Sequence, residues 1–409
     1  MYFKQLHFVN RHGHNLAAQL DLPVDGKPRA YAIFAHCFTC TKNLKAVANI
    51  NRSLTRGGIA VLRFDFTGLG QSEGEFADTN FTTNVSDLID AAGFLAEHYS
   101  APKVLIGHSL GGAAVLQAAA DIESATAVAV IGAPAKPDHV LRHLSDATEE
   151  IQAKGEAEVR LAGRAFRIKK QFLDDLKADR MSGAVKSLKR ALLVLHSPVD
   201  NIVGIENAAE IFQAAKHPKS FVSLDTADHL LSEQADSRYA GAIIAAWSRR
   251  YIAALETDSV RALSGESPVA VSIGKSGYTT EIIANGHSLI ADEPESAGGA
   301  NMGPTPYDYL VAGLGACKAI TVRMYADRKQ WPLDAIRIGL THTKIHADDC
   351  RTCETQKGSL DEIRGTITLE GNLDDDQRRR LMEIADKCPV HRTLKGDVQI
   401  ITQTALEAQ

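Results

Sequence analysis

Through the first 255 residues, short apolar runs alternate with amphipathic stretches. Ala30–Ala35, Ile59–Phe64, Lys103–Ile106, Ala127–Ile131, Ala191–Leu195 and Ser220–Leu224 read as strands buried on both faces. Stretches near Leu44–Arg56, Thr83–Tyr99, Gly111–Asp121, Ile205–Ala215 and Asp236–Leu255 carry helical periodicity. That alternation predicts an α/β fold with a doubly wound parallel sheet. Residues 135–190 interrupt it with charged helical stretches and a hairpin pattern at Glu158–Ile168, as expected of a small cap over the strand ends.

The pattern changes after Leu255. Residues 256–268 are polar and read as a linker, and 269–409 read as a second, α+β domain. There, Val269–Ile273 and Tyr278–Ile283 read as strands, with a hairpin turn at Asn285-Gly286. Pro306–Arg328 reads as a long apolar helix. Ile336–His346 and Glu362–Leu369 alternate like antiparallel strands. Asp374–Lys387 reads as a helix capped by Asn372 or Asp374, and Val398–Thr404 as a last strand. The length of 409 residues fits two or three domains at about 150 residues each.

Composition narrows the function classes. A net charge of −5 with scattered basic residues gives no footprint for nucleic acid. No apolar run reaches the ~18 residues that span a bilayer, and the first residues lack the pattern of a secretory signal. The expectation is a soluble, cytoplasmic protein acting on small molecules, with neither nucleic acid nor membrane as a partner.

The densest chemistry is VLIGHSLGG, residues 104–112. It sets Gly-x-Ser-x-Gly after an apolar strand and before an Ala-rich helix. Such a turn lifts the Ser109 hydroxyl out of the sheet and aims backbone N–H groups, Leu110 first, at an oxyanion. A serine needs a base, and the base an orienting acid. His229 follows the strand at 220–224, and Asp200 follows the strand at 191–195. Asp225 and Asp228 are rival acids, too close in sequence to His229 to approach it easily. Phe38, after the strand at 30–35, is the candidate for the second oxyanion donor. The glycines of FDFTGLGQSEG lack dinucleotide-binding spacing.

The stretches AHCFT, FDFTGLGQSEG, GHSLGG, HSPVDNIV and ADHLL resemble the α/β-hydrolase superfamily near its serine aminopeptidase, lipase and acylglycerol-esterase branches. The resemblance implies a serine hydrolase acting on an ester or acyl substrate. One departure is Cys37, where that superfamily usually carries glycine in the oxyanion loop. Cys37 and Cys40 form C-x-x-C, which reads either as a redox pair on that loop or as two small buried residues.

Four further cysteines lie in the second domain. Cys317 sits inside the long apolar helix and Cys388 at the end of the next, so two thiols could meet across a core. His342, His346, Cys350 and Cys353 offer three readings: a zinc ligand set, a disulfide relay, or plain structure. GPTPYDYLVAGLGAC and LEGNLDDDQRRRLMEIADKCPVHRTL resemble the OsmC-like family of hydroperoxide resistance proteins. That resemblance implies Cys317 as peroxidatic thiol, Cys388 as resolving thiol, a homodimer, no bound metal or organic cofactor, and an external dithiol reductant. Two departures are Tyr307, with Asp308 beside it, where hydroperoxide reductases carry glutamate, and the absence of their arginine. Lys275, Lys318 and Arg392 are the candidate replacements. The whole chain resembles bifunctional α/β-hydrolase–OsmC fusions.

Overall fold

A computed structural model describes residues 2–24, 26–37, 41–137, 145–161, 164–176, 181–252, 268–275, 277–346 and 359–403. The chain divides into two units, residues 1–274 with 281–289, and residues 275–280 with 290–409.

The first unit is built on an eight-stranded sheet of order β1-β2-β4-β3-β5-β6-β9-β10. Its parallel part is β3 (Ala30–Ala35), β4 (Ile59–Phe64), β5 (Val104–His108), β6 (Ala127–Ile131), β9 (Ala191–His196) and β10 (Lys219–Ser223). All but the edge strand β10 are almost wholly buried and mostly apolar, as expected where both faces of a sheet are covered. Ile33 and Leu105 point into one apolar cluster, with α2 (Phe81–His98) and α3 (Leu110–Ala118). Their neighbours Ala32, Phe34 and Ile106 point into the other, with α1 (Lys45–Arg56) and α8 (Gln234–Ser248).

Two strands come in addition to those expected. β1 (Tyr2–Val9) and β2 (Asn15–Leu22) pair antiparallel, and β2 pairs antiparallel with β4, so the sheet is mainly rather than wholly parallel. β1 lies on the sheet edge and its polar residues break the apolar run, which hides it from a search for buried strands.

The interrupting segment holds α4 (Ser145–Lys154), the antiparallel hairpin β7 (Glu156–Leu161) and β8 (Arg164–Lys169), α5 (Lys170–Leu176) and α6 (Met181–Lys186). Phe166 packs on Phe76 at 4.9 Å between ring centres. Asp175 accepts from the backbone N–H and hydroxyl of Thr82, at 2.7 Å each, at the start of α2.

Further along, β11 (Val269–Ile273), β12 (Thr280–Ala284) and β13 (His287–Ala291) form a three-stranded sheet. Asn285 and Gly286 both have positive φ, 47° and 81°, as a tight hairpin turn requires. The second unit contains the 24-residue α9 (Pro306–Lys329), capped by Thr305 and Asp308 in a reciprocal box. β14 (Ala335–His346) pairs antiparallel with β15 (Ser359–Glu370). α10 (Asp375–Ala385) is capped by Asp374, not Asn372, and the short α11 (Pro389–Lys395) follows. Val322, Ala326, Leu369, Leu381 and Ala385 form its core. The strand expected at 398–404 does not form over the described residues 398–403, because nothing described pairs with them; Ile400 is 84% exposed.

Candidate functional site

Ser109 sits between β5 and α3 with φ 56° and ψ −128°, a strained conformation for a residue with a side chain. The turn is possible because its glycines leave no bulk. A Cβ on Gly107 would lie 2.4 Å from the Gly111 carbonyl oxygen, and one on Gly111 would lie 2.4 Å from that of His36. Leu110 opens α3, so its N–H is among those without an acceptor inside the helix.

His229 meets Ser109 from the loop after β10. Its Nε2 lies 3.0 Å from Ser109 Oγ, and its Nδ1 donates to Asp200 Oδ2 at 2.7 Å. Asp200, not Asp225 or Asp228, is therefore the acid that touches the histidine; Asp228 accepts from the backbone N–H of Ser232 instead. Asp200 Oδ1 accepts backbone N–H bonds from Ile202 and Val203, both at 2.9 Å. Burial alone would raise this carboxyl, but the bonds from His229, Val203 and Ile202 outweigh it and hold it below the ordinary carboxylate range. A carboxylate thus faces Nδ1–H at neutral pH, with Nε2 turned to Ser109.

Three supports around this triad have no signal in the linear sequence. His108 Nε2 donates to the backbone carbonyl of His229 at 2.7 Å, tying the Ser109 turn to the His229 loop. Burial, first, and the neighbouring His229 push the His108 imidazole down to about 4, so it stays neutral. Gly132, with φ +53°, runs beneath the pair; a Cβ there would lie 3.3 Å from Asp200 Oδ2 and 3.4 Å from the His229 ring. The third support concerns the loop after β3. Buried Asp65 accepts from the Lys42 backbone N–H at 2.7 Å and from Lys42 Nζ at 2.5 Å. Arg63 donates to the Lys42 carbonyl and pairs with Asp21 of β2 at 2.9 Å. Both ends of that grip are buried.

Cys37, in the same loop, is buried and disulfide-bonded. Phe38 and Cys40 lie outside the described residues, as do Cys350 and Cys353.

In the second unit, Cys317 on α9 and Cys388 at the start of α11 are free thiols, near enough for Cys317 to help push the Cys388 thiol up. Cys317 is half-buried and Cys388 fully buried. Tyr307 stacks on His342, ring centres 4.1 Å apart and 6° from parallel, and His342 Nε2 lies 2.9 Å from Asp361 Oδ1. Asp308 is occupied in the helix cap. Among the described residues no group of three or more His, Cys, Asp or Glu side chains is gathered as a metal would need.

An alpha/beta hydrolase family model matches residues 32–296, and an OsmC-like protein model matches residues 298–403. The chain belongs to the alpha/beta hydrolase family. Its hydrolase domain is followed by an OsmC-like domain. A solved esterase domain of a Rhodothermus marinus protein is 54% identical, covering 62% of this chain and all of that one with a TM-score of 0.52. The mitochondrial palmitoyl-protein thioesterase ABHD10 of Mus musculus is 27% identical over 202 residues, 47% of this chain and 66% of that protein. The chain thus spans just under two thirds of that relative. The solved alpha/beta hydrolase domain-containing protein 10 from mouse, 21% identical with a TM-score of 0.52, shares the hydrolase fold. No helix among the described residues is long and apolar enough to cross a membrane.

Proposed function

We propose that the hydrolase domain is a serine hydrolase of ester or other acyl substrates. The observation that carries this is the unbroken line Ser109 Oγ, His229 Nε2, His229 Nδ1, Asp200 Oδ2, at 3.0 Å and 2.7 Å. Ser109 attacks the acyl carbonyl as His229 takes its proton, and Asp200 holds the imidazolium that forms. His229 then protonates the leaving alcohol or thiol, and a water activated by the same histidine releases the acid. Leu110 N–H and a donor from the loop after β3, with Phe38 as the candidate, carry the oxyanion. The names of the relatives, an esterase domain and a thioesterase, support acyl chemistry of this kind. Ser109→Ala is expected to lower model-ester turnover by about a thousandfold or more, and Asp200→Asn by about four orders of magnitude. Wild-type turnover in either variant would overturn the reading.

We further propose that the OsmC-like domain reduces organic hydroperoxides through Cys317 and Cys388, recycled by an external dithiol, and that the protein is a homodimer through this domain. The nearness of two free thiols supports the first part. Exposed apolar residues on α9, Ile320 at 60% and Met324 at 67%, support the second. One equivalent of organic hydroperoxide is expected to yield a Cys317–Cys388 disulfide on peptide mapping, with peroxide consumed in step. Persistent free thiols would favour the other reading that α9 supports, a single-function hydrolase with an appended dimerisation module.

A further inference from the structure

A buried thiol is a weak nucleophile until its surroundings favour the charged form. In the OsmC-like domain the buried member of the pair is Cys388, which would have to attack oxidised Cys317. Burial pushes its thiol above the ordinary range and the nearness of Cys317 adds to that; the backbone N–H of His391, 3.3 Å from Sγ, and the charge of Lys318 pull it back.

The three candidate cations differ in placement. Lys275 and Arg392 are exposed to solvent. Lys318, next to Cys317 on α9, is only 7% exposed. Its Nζ lies 2.6 Å from Asp386 Oδ1, and the Asp386 side chain is 67% exposed. The buried ammonium is thus shielded from water, while its counter-charge is screened by it. Hydrogen bonding to Lys318 in turn holds Asp386 below the ordinary carboxylate range. His391 Nδ1 is 3.7 Å from Asp386, and burial and the Lys318 charge keep that imidazole below its ordinary value. The other charged groups at this end, Glu383, Lys387, Arg392 and Lys395, line an open cavity of about 650 Å³.

We propose that Lys318 is the positioning charge for disulfide closure: its ammonium stabilises the negative charge on the Cys388 sulfur as that sulfur attacks Cys317, and Asp386 sets how much of the ammonium's charge reaches it. The inference rests on the peroxide-reduction reading above. In that reading the Cys317 thiolate takes the terminal oxygen of the hydroperoxide, the O–O bond breaks, and the alcohol leaves with a proton. The Cys388 thiolate then attacks the Cys317 sulfur; the S–S bond forms, the S–O bond breaks, and hydroxide leaves and takes a proton to become water. The external dithiol reduces the disulfide and is itself oxidised to one.

Full-length protein is mixed with one equivalent of cumene hydroperoxide, and samples are trapped with dimedone and mapped by mass. In Lys318→Met the sulfenic acid at Cys317 is expected to persist about tenfold longer or more near neutral pH, the gap narrowing as alkali ionises Cys388 unaided. Lys318→Arg restores closure. Asp386→Asn closes the disulfide faster than wild type, because it removes the damping carboxylate. A structural role for the ion pair would slow both Lys318→Met and Asp386→Asn, so equal slowing, or wild-type closure in Lys318→Met, overturns the proposal. Should wild type form no sulfenic acid, the peroxide reading fails by itself. Lys318 is then judged on a thionitrobenzoate mixed disulfide at Cys317, located by mass. Release of its chromophore by Cys388 must follow the same order of variants, and loss of that order overturns the proposal.

Discussion

A methyl group at position 132 would touch both the acid and the base of the triad. Gly132→Ala also forces a side chain into φ +53°, at a cost of about 1–2 kcal/mol. The expected outcome is a folded protein whose thermal midpoint falls by a few degrees and whose ester turnover falls about tenfold or more. His108 gives a prediction in pH. Its folded value of about 4 lies below the ordinary 6.5, so between them the unfolded chain takes up a proton that the folded protein refuses. Stability is fully present above that window and is lost as pH falls through it, by about 3 kcal/mol at most. His108→Gln keeps a donor for the His229 carbonyl and loses the titration, so its thermal midpoint should fall less steeply on acidification than that of wild type. Ser109, Asp200 and His229 were legible in the sequence because each follows an apolar strand in the chain order this chemistry uses. His108 and Gly132 were not, because a histidine inside a motif and a glycine after a strand gain meaning only when three loops meet.

The loop after β3 depends on a carboxylate more than on its own residues. Asp65→Asn would leave the buried Lys42 ammonium without its counter-charge. The expected result is a loss of thermal stability, with ester kcat falling about a hundredfold while KM changes little, because the oxyanion donor is misplaced rather than the substrate. Steady-state kinetics on model esters separates the two. Elements were readable where an apolar run or an alternation was long and unbroken, more than in proportion to burial. β2 is almost wholly buried yet Gln19 and Asp21 broke its run, whereas the half-exposed strand at 269–273 was expected. The central strands β3 to β6 and β9 show as apolar runs because helices cover both their faces, whereas the cap of α10 was readable only as Asn372 or Asp374, the box with Gln377 deciding for Asp374 in the structure. β1 was hidden by its polar edge face. The run Val398, Ile400 and Ile401 shows the opposite failure: it carries a strand's pattern, with nothing described to pair with.

At the scale of the whole molecule, those exposed residues and the open face of α9 bear on assembly. Ile320 and Met324 lie one turn apart, and leaving both in water forfeits burial that a partner would supply. Ile320→Glu combined with Met324→Glu is expected to shift the protein from dimer to monomer in sedimentation equilibrium, with Ser109-dependent ester hydrolysis retained. That a hydrolase domain is followed by an OsmC-like domain was legible in the motifs and in the change of pattern along the chain. What holds the hydrolase site in register was not, since its supports are buried contacts and ion pairs between residues apart in the chain. Asp21 of β2 grips Arg63, and Arg63 grips the Lys42 carbonyl in the loop beside the triad. The amino-terminal strand pair is thus a buttress, and a tag or dye fused next to residue 2 would load it. Labels placed there should be judged by reaction rate as well as by yield, because a protein with a frayed first strand can look intact on a gel and still turn over slowly.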